Sequence, residues 1–361
     1  MPGFPIYIML YSEFAPLQLD LAAPGTWLLA FLAYDFLYYW LHRAHHRIGV
    51  LWAVHEVHHS GEDMNFGLAI RQPILGELTS WPFFTPLALL GIPPEIFLAV
   101  SGVQVLYQYS LHNSYVPRLG MLEKWLQTPA LHRVHHASNA KYIDRNYGNI
   151  LAIWDRIFGT YQAEDPDCPP RYGLTNAINS WNPWVFNIHF FQQLLVKSRY
   201  CETSAERFLC WFAPPGWEPH SRPVSKTPDP VTRPKFDVRL TTSALVYCVL
   251  QFAGILAVFV LLLWNLQQAS VMLSTTAVLV LLLGTYELGK LLEGNTRAWS
   301  LQLMRLISLL IASTLVGLSQ GWMIGLMILA GFVFLSAGIL IKVFEQGVQP
   351  PVEHGTSFSG V

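Results

Sequence analysis

Charge is scarce in this sequence. Asp, Glu, Lys and Arg make up 12% of its 361 residues, about half the share of roughly 25% in an ordinary soluble domain. The 22 basic residues nearly balance the 23 acidic ones, so no basic excess points to a nucleic-acid partner. Hydrophobic residues reach 52%, which excludes a disordered chain. Cysteine is also scarce. Cys168, Cys201, Cys210 and Cys248 are scattered, with no Cys-x-x-Cys pair, so neither a disulfide framework nor a zinc knuckle is indicated. There is no evident internal repeat or low-complexity tract. The opening apolar run, 4–11, is too short to span a bilayer and lacks the basic flank of a signal peptide. It reads as an interfacial segment or the stub of a longer N-terminus.

What the sequence does have is long apolar runs. A bilayer core of about 30 Å takes about 20 helical residues. Runs of roughly that length cover 25–41, interrupted by Asp35, then 73–90 and 94–111, joined by Gly91-Ile92-Pro93-Pro94. Four more cover 241–264, 271–289, 300–318 and 322–341. The expected fold is an all-α integral membrane protein with about seven transmembrane helices. With the N-terminus outside, segments 42–72, 112–239, 290–299 and 342–361 face inside. All 22 Lys and Arg then lie on or beside that inner face, as the positive-inside rule requires. The membrane is a bacterial inner membrane or the endoplasmic reticulum. Pro and charge enrichment at 213–239 reads as a linker. It separates a catalytic module, 1–212, from a four-helix membrane module, 240–345, and a tail, 346–361.

The chain holds thirteen histidines, and most sit in three short motifs. These are His42-Arg43-Ala44-His45-His46, His55-Glu56-Val57-His58-His59 and His132-Arg133-Val134-His135-His136. Positions i, i+3 and i+4 of a helix share a face. Each His-x-x-His-His triplet therefore points one way, and His42 and His46 sit one turn apart. His42 ends the first span and His112 ends the third, so all four elements reach the cytosolic face and form a helical metal-binding cap. Imidazole suits iron, zinc, copper and nickel. Nine candidate ligands (His42, His46, His55, His58, His59, His112, His132, His135 and His136) exceed the needs of one tetrahedral zinc. They suit two ions with open positions, as in a di-iron centre that activates oxygen. His45 lies off the His42/His46 face and reads as a neighbour. His189, His220 and His354 are isolated and read as structural.

Asp35 precedes His42 on the same helical face, and a carboxylate inside a span is costly and usually functional. Asp35, Glu62 and Asn65 are candidate groups to hold the ligand histidines in place, with helix capping as the other reading of Glu62 and Asn65. Asp144, Asn146 and Asp155 read equally well as turn residues.

These motifs resemble the fatty acid hydroxylase, or sterol desaturase, superfamily, and within it the alkylglycerol monooxygenases. The resemblance is carried by Asp35-Phe36-Leu37-Tyr38-Tyr39-Trp40-Leu41-His42-Arg43, by Leu51-Trp52-Ala53-Val54-His55 through Asn65, and by Thr128-Pro129-Ala130-Leu131-His132 through His136. It continues through Asp144-Arg145-Asn146-Tyr147-Gly148 and covers about residues 25–190. Arg47 stands where the resemblance leads one to expect an acidic residue. The resemblance implies an oxidoreductase with two irons that uses molecular oxygen on a membrane lipid. It implies monooxygenation of the ether-linked carbon of alkylglycerols, with tetrahydrobiopterin or another electron donor as reductant. A sterol, fatty-acyl or sphingoid hydroxylase or desaturase of the same superfamily is the alternative. A histidine-rich metal transporter is a third reading, disfavoured because transport ligands belong at the bilayer midplane.

Overall fold

The computed structural model of the chain describes residues 3–221, 232–267, 270–295, 302 and 323–346. Among these residues there are helices, turns and three isolated bridges, and no strand. The all-α expectation holds. The chain divides into two compact units, Met1–Ile178 with Phe186–Arg233, and Asn179–Val185 with Pro234–Val361.

The first unit begins with α1 (Phe4–Phe14), α2 (Pro24–Arg47), α3 (Gly49–His59), α4 (Phe66–Ala69), α5 (Gly76–Leu89) and α6 (Pro94–Leu111). Helices α1, α2, α5 and α6 pack around one apolar core that includes Tyr7, Ala30, Tyr34, Phe84, Leu87, Ile96 and Phe97. Tyr34 stacks on Phe84 and Tyr7 on Phe97, each pair with ring centroids 4.3 Å apart. The Tyr7 hydroxyl donates to the Ile92 carbonyl at 3.0 Å, tying α1 to the turn between α5 and α6. That turn needs Gly91. Its φ is +82°, and a Cβ there would meet the Leu17 carbonyl oxygen at 2.0 Å, so both the conformation and the close approach require glycine.

Helix α2 does not stop where its apolar run ends at Leu41. It continues to Arg47 and carries His42 and His46 on its last two turns. Ile48 is extended (φ −118°, ψ 119°), and α3 restarts at Gly49. The break lets α3 fold back on α2, and the Gly49 and Val50 amides donate to the carbonyls of Ala213 and Trp211. Four short or amphipathic helices complete the unit's course: α7 (Pro129–His135), α8 (Ile153–Ile157), α9 (Pro183–Arg199) and α10 (Ser204–Leu209).

The second unit contains α11 (Thr242–Trp264), α12 (Val271–Leu292) and α13 (Met323–Gln346). Tyr247, Cys248, Leu291, Leu340 and Val343 form its buried cluster. Polar cross-links run through it. Gln251 Nε2 donates to Ser336 Oγ at 2.9 Å, and Gln302 Nε2 donates to Glu287 Oε2 at 2.8 Å.

Among the described residues, two helical stretches have the length and apolar character of a membrane span, Thr242–Trp264 and Ser274–Leu292. The run at 322–341 lies in the 24-residue helix α13, of which Gly331–Val343 is an apolar stretch, and the runs of the first unit are cut shorter or diluted. The run at 73–90 yields a helix of 14 residues with Pro82 and Pro86 inside it, where each proline removes a backbone donor. Helix α6 carries Gln104 and Gln108 among its 18 residues. The run at 300–318 and the tail lie outside the described residues, apart from Gln302 and Gln346.

Candidate metal centre

The nine histidines converge. His42, His46, His55, His59 and His135 bring one nitrogen each within 4.8 Å of one another, and so do His58, His112, His132 and His136. The two groups are interleaved by the helical repeat itself. Helix α3 sends His55 and His59, one turn apart, to the first group and His58 to the second. Helix α7 and its cap send His132 and His136 to the second group and His135 to the first. The His59 and His136 rings stack between the groups at 4.4 Å.

The nitrogens face each other edge to edge. His42 Nε2 lies 3.2 Å from His55 Nε2, and His46 Nε2 lies 3.1 Å from His59 Nε2. His112 Nε2 lies 3.1 Å from His58 Nε2 and 2.9 Å from His132 Nε2. With metal–nitrogen bonds of about 2.1 Å, ligands at right angles sit about 3.0 Å apart, and tetrahedral ligands about 3.4 Å apart. The observed spacing matches right-angled coordination with room for more ligands. His135 Nε2 is buried and has no hydrogen-bond partner, as suits a lone pair aimed at an ion. The donor set fits two imidazole-bound ions.

The far nitrogens are held by backbone carbonyls. His42 Nδ1 donates to Tyr147 O at 3.0 Å, and His58 Nδ1 to Arg71 O at 3.3 Å. His112 Nδ1 donates to Gln108 O at 2.8 Å, and His135 Nδ1 to Arg145 O at 2.9 Å. Each bond fixes the tautomer that leaves Nε2 free to ligate. Burial pushes the ring pKa values down, to about 4 for His112 and about 3 for His135, and well below the ordinary value for the other seven, so the neutral, ligating form is the stable one at neutral pH.

A tied loop presents Tyr147 and Arg145. Asp155, fully buried, accepts from the amides of Tyr147 (2.7 Å) and Gly148 (2.8 Å), from Thr160 Oγ1 (2.7 Å) and from Gln127 Nε2 (2.7 Å). Asn146 Nδ2 donates to the carbonyls of Leu131 (3.0 Å) and Gln162 (2.7 Å), fastening the loop to α7. Helix α7 starts at Thr128, whose side chain accepts from the Leu131 amide, with Pro129 next in its first turn. Its Arg133 makes a two-pronged ion pair with Glu164, at 3.0 and 2.6 Å, and donates to Val116 O beyond His112. No single-residue signal in the sequence marks these carbonyl acceptors. The Asp-Arg-Asn-Tyr-Gly segment is the nearest pointer to them.

Asp35 and Asn65 bond to backbone amides and an indole rather than to the histidines. Asp35 accepts from the amides of Ile150 (2.9 Å) and Leu151 (3.3 Å) and from Trp154 Nε1 (2.8 Å). It thus anchors the loop whose Tyr147 carbonyl holds His42. Asn65 caps α4, accepting from the Leu68 amide. Glu62 lies 3.6 Å from Arg233. His45 belongs to neither group, although its ring centroid lies 5.6 Å from that of His55; its Nδ1 donates to Leu41 O and its Nε2 lies beside Thr79 Oγ1. His189 lies on the buried carboxylate of Glu56, which also accepts from the Phe190 amide and so pins α9 behind α3.

A cavity of about 580 Å³ opens on both histidine groups, touching His42, His55, His58 and His112. A second cavity of about 150 Å³, walled by Phe4, Tyr7, Trp81, Phe84 and Phe97, shares Tyr34, Tyr38, Leu41 and Val105 with the first.

Comparison with known proteins agrees with this geometry. The profile of the fatty acid hydroxylase family matches residues 27–160. An alkylglycerol monooxygenase of Homo sapiens is 38% identical over 258 residues, 70% of this chain and 57% of that protein. Its counterpart in Danio rerio is 36% identical over 312 residues, 84% of this chain and 69% of that protein. An ornithine lipid hydroxylase of Rhizobium tropici is 32% identical over 163 residues, 45% of this chain and 46% of that protein. No solved structure matches. On the relatives matched over most of this chain, and on a family profile whose matched range holds all nine histidines, the chain belongs to the fatty acid hydroxylase family, beside the alkylglycerol monooxygenases.

Proposed function

We propose that the chain is an oxygen-dependent lipid monooxygenase that oxidises the ether-linked carbon of alkylglycerols. The observation that carries this reading is the pair of adjacent histidine groups opening on one cavity. All nine histidines would hold two irons. An iron pair bound there supplies the activation of molecular oxygen and the attack on a C–H bond. The chain's own residues do the rest. Tyr147, Arg71, Gln108 and Arg145 orient the ligands through their carbonyls. Asp35 supports His42 through the loop it anchors, and Glu62 and Asn65 hold the segment after α3. Tyr34, Tyr38 and Leu41 line both cavities and keep the lipid's apolar chain from water. Hydroxylation of the ether carbon gives a hemiacetal, which falls apart to an aldehyde and glycerol. Two electrons from tetrahydrobiopterin or another donor would balance the reaction, with one oxygen atom of O2 entering the C–H bond and the other leaving as water.

We place the enzyme in a membrane through seven spans, with the metal site on the cytosolic side of a bacterial inner membrane or the endoplasmic reticulum. Residues 1–212 form the catalytic module, 213–239 the linker, 240–345 the membrane module and 346–361 the tail. Leu28, Leu32, Val103, Val105 and Leu106 on α2 and α6 stay exposed, an apolar surface that lipid would cover.

The test is iron content with product analysis on one purified sample. The expected result is about two irons per chain, lost on His58→Ala or His135→Ala, and fatty aldehyde from an alkylglycerol supplied with pterin and oxygen. A metal-free active protein would sink the oxygenase reading. Iron-dependent hydroxylation of another lipid with no aldehyde would favour a sister hydroxylase. The matches to an ornithine lipid hydroxylase and, at 25% identity, to a lathosterol oxidase of Mus musculus support that second reading.

A further inference from the structure

The cavity beside the histidines carries two polar atoms that no group among the described residues satisfies. Gln104 and Asn149 both line it. Their residues are 0% and 1% exposed, yet Gln104 Oε1 and Asn149 Oδ1 have no hydrogen-bond partner. Buried side-chain oxygens are nearly always paired, so two orphans on one cavity wall need an account.

Gln104 is held through its side-chain amide, and Asn149 through its backbone carbonyl. Gln104 Nε2 points to the Phe31 carbonyl at 3.5 Å. A carbonyl can be approached only by a donor, so the amide nitrogen belongs on that side and the oxygen is the free end. Gln108, one turn further along α6, donates from Nε2 to the Asn149 carbonyl at 2.8 Å and fixes the segment that carries Asn149. Gln104, Gln108 and His112 follow at i, i+4 and i+8 on α6, one face of the helix. That face places the two amides and a ligand histidine along the same wall. The pairing is chemically one-sided: both free groups are acceptors, so the occupant must bring donors. An unbranched hydrocarbon or a fully esterified head has none.

We propose that Gln104 and Asn149 are specificity-determining residues that accept hydrogen bonds from free hydroxyls of the lipid substrate, so the enzyme selects a hydroxyl-bearing head and rejects its capped analogue. This rests on the lipid-oxygenase reading above and deepens it by naming the substrate feature that is read. A site built to bind a hydroxyl discriminates strongly against ligands that lack it, because its own polar groups are then left buried and unpaired.

The test uses the full-length protein in detergent with two probes: a hexadecyl glyceryl ether with both hydroxyls free, and the same ether with both hydroxyls methylated. Binding is read by displacement of a fluorescent lipid and turnover by aldehyde release, with iron content and melting temperature recorded for each variant. The wild type should bind the free ether about tenfold or more tightly than the methylated one. Gln104→Leu and Asn149→Leu should each shrink that preference, mainly by weakening the free ether. Asn149→Asp, which keeps an acceptor oxygen, should retain it. Should Gln104→Leu fail to purify, Asn149→Leu and Gln104→Ser carry the same comparison. No preference in the wild type, or a preference untouched in every variant that retains iron, overturns the proposal and leaves water as the partner of both oxygens. If the wild type releases no aldehyde yet its binding preference depends on Gln104, the ether-cleavage reading fails and this one stands.

Discussion

Asp155→Asn is the most informative single change, because it alters hydrogen bonding without altering shape. Asp155 Oδ1 accepts from the Tyr147 amide and Thr160 Oγ1, and Oδ2 accepts from the Gly148 amide and Gln127 Nε2. An asparagine must turn its NH2 group toward one of these pairs. Placed at Oδ2, the NH2 faces two donors at 2.8 and 2.7 Å. Placed at Oδ1, it faces the Tyr147 amide at 2.7 Å, while Thr160 can rotate its hydroxyl toward Tyr39 and accept. Even the better orientation leaves one buried amide opposed by a donor. A buried unsatisfied donor costs about 1–3 kcal/mol, and the clash brings the expected loss to about 2–4 kcal/mol. The loop that moves carries the Tyr147 carbonyl, so His42 should lose its fixed tautomer. Disturbing a group that orients a ligand typically costs about 10–100-fold in metal affinity. The assay is thermal unfolding in detergent beside iron titration. An Asp155→Asn protein with wild-type melting and wild-type iron affinity would refute the claim that this carboxylate organises the ligand loop.

Two further outcomes follow from the same geometry. His45→Ala should retain iron, because His45 bonds to Leu41 and Thr79 rather than to either histidine group; loss of an iron equivalent would place it among the ligands. Acidification should destabilise the metal-free protein. The unfolded chain takes up protons at the ordinary histidine value of 6.5, whereas the folded values fall to about 4 for His112 and about 3 for His135. The stabilising contribution is therefore complete above about pH 6.5 and is lost as pH falls below it. Urea midpoints between pH 8 and pH 5 measure this, and a flat profile would contradict the burial of neutral rings.

The set of histidines that converge is legible in the sequence because the helical repeat imposes spacing. Two His-x-x-His-His triplets and a His-x-x-x-His pair declare a shared helical face by their intervals alone. The allotment of ligands is not legible there. Whether His58 belongs with His55 or with His132 depends on how α3 and α7 cross, which the helical repeat does not state. The acceptors for the Nδ1 atoms are invisible for a different reason: they are backbone carbonyls, and any residue can supply one. Asp35 stands out as a carboxylate inside an apolar run, but its partners lie 115 to 119 residues away, and nothing local could name them. Hydropathy locates the apolar runs but not their helices. It counts residues, whereas Pro82 and Pro86 inside α5 and the continuation of α2 through His46 are matters of backbone bonding.

Arg47 shows how a departure from an expected pattern can be absorbed. The resemblance calls for an acidic side chain after His46, and a basic one stands there. The structure pairs Arg47 with Asp144, whose other carboxylate oxygen lies 3.9 Å from His46 Nδ1. Asp144 reaches this corner from a left-handed backbone conformation, φ +61°, which aspartate tolerates better than most residues. The carboxylate at this corner thus comes from the ligand loop, and Arg47 steadies it. The two residues should then be unequal. Asp144→Asn removes the charge facing His46 and should weaken iron binding about tenfold. Stability should change by less than about 1 kcal/mol, because the ion pair is half-exposed. Arg47→Ala leaves the carboxylate in place and should retain most of the iron. Iron affinity measured on both variants decides the matter. If Arg47→Ala loses as much iron as Asp144→Asn, the arginine itself supports the metal and the carboxylate is only its counter-ion.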